Sequence, residues 1–237
     1  MSSDMCFSPE ASFAGGIIIS TIGIATVNKI QKPSQLVFAS IPLFFGIQQI
    51  AEGFLWLTLP FPEYIGIQKI CTYIFLVMAQ VLWPAIIPIS VILMEENNRK
   101  KKTLKILLTL GILLSLYYAF CLLSFNVNPQ IMDYHIHYNI DFPKSLRMLA
   151  FTTYLIVTIA PLFVSTVKKT HLLGVLMFLS CVVTAIFFRQ YLTSVWCFFA
   201  ALISGVIYWI LKDTKRDFIK KYVQTNHLIN EEDENLL

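Results

Sequence analysis

The sequence predicts an all-α polytopic membrane protein of seven transmembrane helices, with its N-terminus outside and its C-terminus cytoplasmic. Three observations lead there. The 237 residues are 57% hydrophobic and only 14% charged, where a soluble domain carries about 25% charged residues. Mean hydropathy is +0.68, and the apolar residues fall in long uninterrupted runs, the mark of membrane-spanning helices. The 18 Lys and Arg sit in short clusters between those runs. Counted for seven spans, only Lys69, Lys144, Arg147 and Arg189 lie on one side; all the others lie on the other side, which is therefore cytoplasmic. Residues 1–211 read as one transmembrane domain and 212–237 as a charged cytoplasmic tail. The basic clusters follow the positive-inside rule and do not suggest nucleic acid. The expected partner is the lipid bilayer, with a small-molecule or ion ligand as a further expectation.

The first helix is expected over Ser12–Val27. Gly16, Ser20 and Gly23 recur along one stripe, which lets a neighbouring helix approach closely. Lys29 and Lys32 mark a loop ending at Pro33. The second helix, Ser34–Leu59, carries Gln48, Gln49 and Glu52 within an apolar run. Helical spacing puts Gln48, Glu52 and Trp56 on one face, with Gln49 beside them. A carboxylate at mid-membrane costs about 2.5–3.5 kcal/mol on insertion scales, so Glu52 is expected to face the bundle. No Lys or Arg lies at its depth. Glu52 is expected either to be protonated and hydrogen-bonded to Gln48, Gln80 or a carbonyl freed by Pro84, or to hold a bound cation.

The third helix, Tyr64–Met94, is long enough to tilt. Its prolines at 84 and 88 share a face with Gln80; they free carbonyls and bend the helix beside that glutamine. Glu95 to Lys102 form a charged loop. The fourth helix covers Thr103–Phe125, and residues 126–146 form the longest loop, holding Asp133, His135, His137 and Asp141. The fifth covers Arg147–Val167. Lys168, Lys169 and His171 make a tight turn before the sixth, Leu172–Phe188, and Arg189-Gln190 make another. The seventh, Tyr191–Leu211, contains Trp196 and a small-residue stripe at Cys197, Ala201 and Ser204. The tail turns from basic to acidic and reads as a fraying soluble helix. The first fifteen residues hold Asp4 and Glu10 but no Lys or Arg, so they do not read as a secretory signal. Five cysteines without a C-x-x-C pair exclude zinc-finger and thioredoxin-like sites.

Five stretches, at Met5–Phe13, Phe45–Trp56, Gln80–Pro84, His135–Tyr138 and Trp196–Ala201, resemble the motifs of an uncharacterised family of small bacterial multi-pass membrane proteins, a domain of unknown function. Met5-Cys-Phe-Ser-Pro-Glu-Ala-Ser-Phe13 is similar to its opening motif. Phe45 to Trp56, Gln80-Val-Leu-Trp-Pro84, His135-Ile-His-Tyr138 and Trp196 to Ala201 extend the likeness over nearly the whole chain. The resemblance implies a shared fold and a bacterial origin, hence a bacterial inner membrane. It implies no activity and assigns no residue a role.

By depth alone, Gln48, Gln49, Glu52, Trp56, Gln80, Trp83, Trp196 and Cys197 could line one polar pocket in the outer half of the bundle. This favours a binding, sensing or transport protein. The same residues also have plain structural readings, as belt tryptophans and helix-bridging glutamines. An intramembrane metal-dependent hydrolase acting on lipid is the alternative. It would draw on His135, His137 and Glu10 for zinc, with Asp133, Cys6 and Glu52 as further ligands or bases. A structural membrane subunit is the third reading. A retinal protein is excluded, because the seventh helix lacks a Schiff-base lysine.

Overall fold

The computed structural model describes residues 8–132 and 135–212. The tail beyond Lys212, together with Cys6 and Asp133, lies outside the described residues. Seven helical stretches are long and apolar enough to cross a membrane. They are built from α1 (Pro9–Val27), α2 (Leu36–Thr58), α3 (Ile65–Leu76), α4 (Trp83–Met94), α5 (Asn98–Ser124), α6 (Arg147–Val164), α7 (Lys168–Phe187) and α8 (Leu192–Ser204). The helices α3 and α4 are one span joined by a π-helical segment, Val77–Leu82. After α8 the chain turns at Gly205 and continues helical to Lys212.

Three helix starts differ from expectation, two of them for a capping reason. α1 begins at Pro9, because the Ser8 hydroxyl accepts from the Ala11 N–H at 3.2 Å and proline suits the first helical position. α5 begins at Asn98, because Asn97 accepts from the N–H groups of Arg99 and Lys100. The basic run 99–102 is therefore helix, not loop. Lys168, Lys169 and His171 likewise belong to the first turn of α7 rather than to a tight turn.

α2 is the most enclosed span, packed against α1, α3, α4 and α8. Its contact with α1 uses the small-residue stripe. A β-carbon on Gly46 would overlap the Ser20 hydroxyl, and one on Gly16 would meet the Ile50 side chain at 2.8 Å. The backbones are thus nearly touching.

The π segment answers the proline in the third span. Pro84 has no N–H to donate, so the carbonyls before it need other partners. The Tyr154 hydroxyl, from α6, donates to Ala79 O at 2.6 Å, and the Ser115 hydroxyl, from α5, donates to Val81 O at 2.6 Å. Two carbonyls of the π segment ahead of the proline are therefore claimed by neighbouring spans.

The expected loop 126–146 is largely a β-hairpin. β1 (Val127–Met132) pairs antiparallel with β2 (His135–Ile140), with Val127 opposite Ile140 and Met132 opposite His135. An isolated two-stranded hairpin is marginal in water; this one is anchored by side chains. Ile136 and Tyr138 are buried, while His135 and His137 take the other face of β2. The buried pair joins a core of Leu55, Trp56, Cys71, Phe75, Leu122 and Cys197. The hairpin roofs one end of the bundle.

At the opposite end, Glu95 is buried although it sits in a charged stretch. One carboxylate oxygen accepts from the N–H groups of Glu96 and Asn97 and from the Thr166 hydroxyl; the other accepts from the Thr166 N–H at 2.7 Å. It ties the loop after α4 to the loop after α6. Burial opposes the charge, but the N–H groups of Asn97 and Thr166 and the Thr166 hydroxyl outweigh it, and the carboxyl is held below its usual range. A lowered folded value means that Glu95 stabilises the protein above the ordinary glutamate pKa, about 4.3. That stability is lost as pH falls through the folded value. Glu95→Ala is expected to cost roughly 2–3 kcal/mol at neutral pH. The gap from wild type, read by thermal unfolding, should narrow as the pH falls below the ordinary glutamate range. An unchanged gap would contradict this role.

Candidate functional site

Glu52 lies six residues before the end of α2, about 9 Å from the hairpin end at 1.5 Å per residue. It is 2% exposed. Its neighbours Gln48 and Gln49 are fully buried. Glu52 therefore faces the bundle, as the cost of a lipid-facing carboxylate requires.

Its partner is neither Gln80 nor a carbonyl freed by Pro84. The Ser194 hydroxyl, in the first turn of α8, donates to Glu52 Oε1 at 2.5 Å. Ala79 O and Val81 O, ahead of Pro84, accept instead from Tyr154 and Ser115. Two further groups lie against the carboxylate, the Gln49 amide and the Tyr138 hydroxyl. Neither makes a well-formed bond there: the Gln49 oxygen and nitrogen and the Tyr138 hydroxyl are all buried without a hydrogen-bond partner. Burial pushes the Tyr138 phenol well above its usual range, so it meets Glu52 as a neutral hydroxyl. Its ring stacks on Phe75 at 4.9 Å.

Gln48 is oriented by Trp83, whose indole N–H donates to Gln48 Oε1 at 3.2 Å. The Gln48 nitrogen is buried and unpartnered, on the side of Cys197. Trp83 also stacks on Phe45 at 4.0 Å. No ion pair involves Glu52 among the described residues. The cluster thus joins α2, α4, α8 and β2 around one carboxylate and several unsatisfied polar atoms.

The residues expected to share one pocket divide into four places. Glu52, Gln48 and Gln49 are packed in the cluster. Trp83, Trp196 and Cys197 line an apolar cavity of about 40 Å³, with Tyr154 and Phe45. Gln80 lines a neighbouring cavity of about 70 Å³, which shares Tyr154, Trp196 and Cys197. Trp56 is buried in the core beneath the hairpin, and Trp196 is buried with its indole N–H donating to Ser180. Neither tryptophan is in an exposed belt. The largest of the three cavities, about 380 Å³, is at the opposite end beside Glu95, Lys32 and Lys101.

The candidate zinc residues do not converge. No group of three or more His, Cys, Asp or Glu able to hold a metal occurs among the described residues. The extended spacing does put both imidazoles on one side of β2, but they bind the turn before α8. His137 Nδ1 lies 2.8 Å from Gln190 O, and His135 stacks on Tyr191 at 4.5 Å. Glu10 sits in the first turn of α1.

Ser194, Tyr138 and Glu95 carry no flag in the sequence reading. Tyr138 ends the His-Ile-His-Tyr motif, where alternation with Ile136 marks it as the inward partner of the histidines. Ser194 lies three residues before Cys197, on the same helix face.

No curated protein and no solved structure matches the chain. A family model described as a family of unknown function, DUF6629, matches residues 5–221. With nearly the whole chain matched, and with the bundle and its buried glutamate in place, the protein belongs to the DUF6629 family of unknown function.

Proposed function

We propose that the protein is a multi-pass membrane protein of the binding, sensing or transport class whose working centre is Glu52, handling a small ionic or polar ligand. The observation that carries this reading is the company Glu52 keeps. A buried carboxylate has one short hydroxyl partner and no cation, beside amide and phenol groups that lack partners. A purely structural helix bridge would pair those atoms, because unsatisfied groups are costly in hydrocarbon. The lipid-hydrolase reading gains no such support, since the histidines are engaged elsewhere.

The protein sits in the cell membrane, a bacterial inner membrane on the family resemblance. The hairpin faces outward, because Lys32, Arg99–Lys102, Lys168 and Lys169 gather at the other end. A reporter fused after Leu237 is then cytoplasmic and one inserted at Asn128 external; both on one side would contradict this orientation.

The functional test compares wild type with Glu52→Gln and Glu52→Ala in lipid nanodiscs, reading thermal unfolding across pH and added salts. Wild-type stability is expected to respond to the medium through Glu52. Glu52→Gln should fold yet lose that response. Glu52→Ala should cost about 1–3 kcal/mol, since it strands the Ser194 hydroxyl. Identical responses in wild type and Glu52→Gln would mean that Glu52 is helix glue.

A further inference from the structure

Resting on that reading of Glu52, we propose that the cluster is a binding site for one dehydrated monovalent cation of sodium's size. Its ligands are Glu52, the Gln49 amide oxygen and the hydroxyls of Tyr138 and Ser194. One carboxylate and no Lys or Arg partner allow at most a single negative charge among the described residues of the site. One monovalent cation neutralises it; a divalent ion would leave a net positive charge in a low-dielectric interior.

The donor set is next. Carboxylate, amide and hydroxyl oxygens suit hard alkali cations. A transition metal would want imidazole, and both histidines on β2 face away from Glu52 and contact Gln190 and Tyr191. Gln49 points to a missing ligand directly: it is fully buried, and neither amide atom has a partner. A proton on Glu52 would satisfy only the Gln49 oxygen. A cation engages the amide oxygen and the lone pairs of both hydroxyls together, leaving their protons for the carboxylate. Ser194 already donates its proton to Glu52. None of the three cavities described above is lined by Glu52 or Gln49, so none of them offers a metabolite a place against the carboxylate. Gln48 stays outside the ligand set, because its oxygen accepts from Trp83. Tyr138 arrives on the hairpin, so the fourth ligand is supplied from beyond the spans.

The test uses the full chain in nanodiscs, with sodium chloride exchanged for potassium or choline chloride at constant ionic strength. Sodium is expected to raise the unfolding temperature saturably, as a ligand of the native state does. Tyr138→Phe keeps the ring and its stacking on Phe75 while deleting one ligand. It should raise the half-saturating sodium concentration at least roughly tenfold. Glu52→Gln should abolish the shift. If Glu52→Gln does not fold, Tyr138→Phe still decides. Equal shifts with sodium and potassium overturn the proposal, as does an unchanged sodium response in Tyr138→Phe. No sodium shift, with a pH response that Glu52→Gln removes, overturns the cation and leaves Glu52 as a proton site. No response to either medium overturns both readings.

Discussion

Gly111→Ala is expected to cost roughly 3 kcal/mol, or to prevent the protein from accumulating in membranes at all. Gly111 is where α5 meets the bent third span. A β-carbon there would overlap the carbonyl oxygen of Pro84. That neighbour is backbone, held by a π segment and a proline, so it cannot swing aside as a side chain would. The helices must part. One turn along α5, the Ser115 hydroxyl donates to Val81 O at 2.6 Å, and parting the helices breaks that bond as well. Overpacking of this kind costs about 1–3 kcal/mol, and an interhelical hydrogen bond in a membrane averages about 0.6 kcal/mol. Gly66→Ala is the control. Nothing lies within 4 Å of a β-carbon at that position, so helix propensity alone acts and stability should hold or rise by up to about 1 kcal/mol. Thermal unfolding of the two variants side by side checks the contrast. Equal behaviour would mean that α5 does not press on Pro84.

Tyr138→Ala is expected to unroof the Glu52 cluster. The ring is buried, stacks on Phe75 and lies among Leu55, Cys71 and Cys197. Truncating a buried aromatic costs about 3–5 kcal/mol. Here much of that loss falls on hairpin docking, because Tyr138 and Ile136 are the hairpin's buried side chains. The spans themselves keep their packing. Cys197 gives a direct readout, since it is 6% exposed and shares the core with Tyr138. Its thiol should be nearly inert to a small alkylating reagent in wild type and labelled faster in Tyr138→Ala. Tyr138→Phe should stay close to wild type in this assay, because the ring remains. Equal labelling of wild type and Tyr138→Ala would show that the hairpin does not seal the cluster.

These two sites also mark how far the sequence could be read. Long apolar runs and clustered cations reveal the seven helices, because length and hydropathy are local properties. The inward direction of Glu52 is equally local, given the cost of a lipid-facing carboxylate. The hairpin was harder. Six-residue strands carry a weak signal, Pro129 argues against a strand, and residues 126–146 read as one long loop. Only burial of Ile136 and Tyr138 in the bundle fixes the register. Ser194 is one hydroxyl among several, and nothing along the chain connects it to a glutamate 142 positions away. Glu95 looks like part of a solvated charge run until the loop after α6 folds onto it. The missed residues share a cause: each takes its meaning from a neighbour distant in sequence.

We propose that Glu52 responds to proton or sodium in the medium. Difference infrared spectroscopy in lipid tests it most directly. The carboxyl bands of wild type and Glu52→Gln would be compared while proton or sodium concentration is changed in the medium. A carboxyl band that changes with the medium is expected in wild type, and it should be absent from Glu52→Gln. A Glu52 band that stays constant under both changes would contradict it.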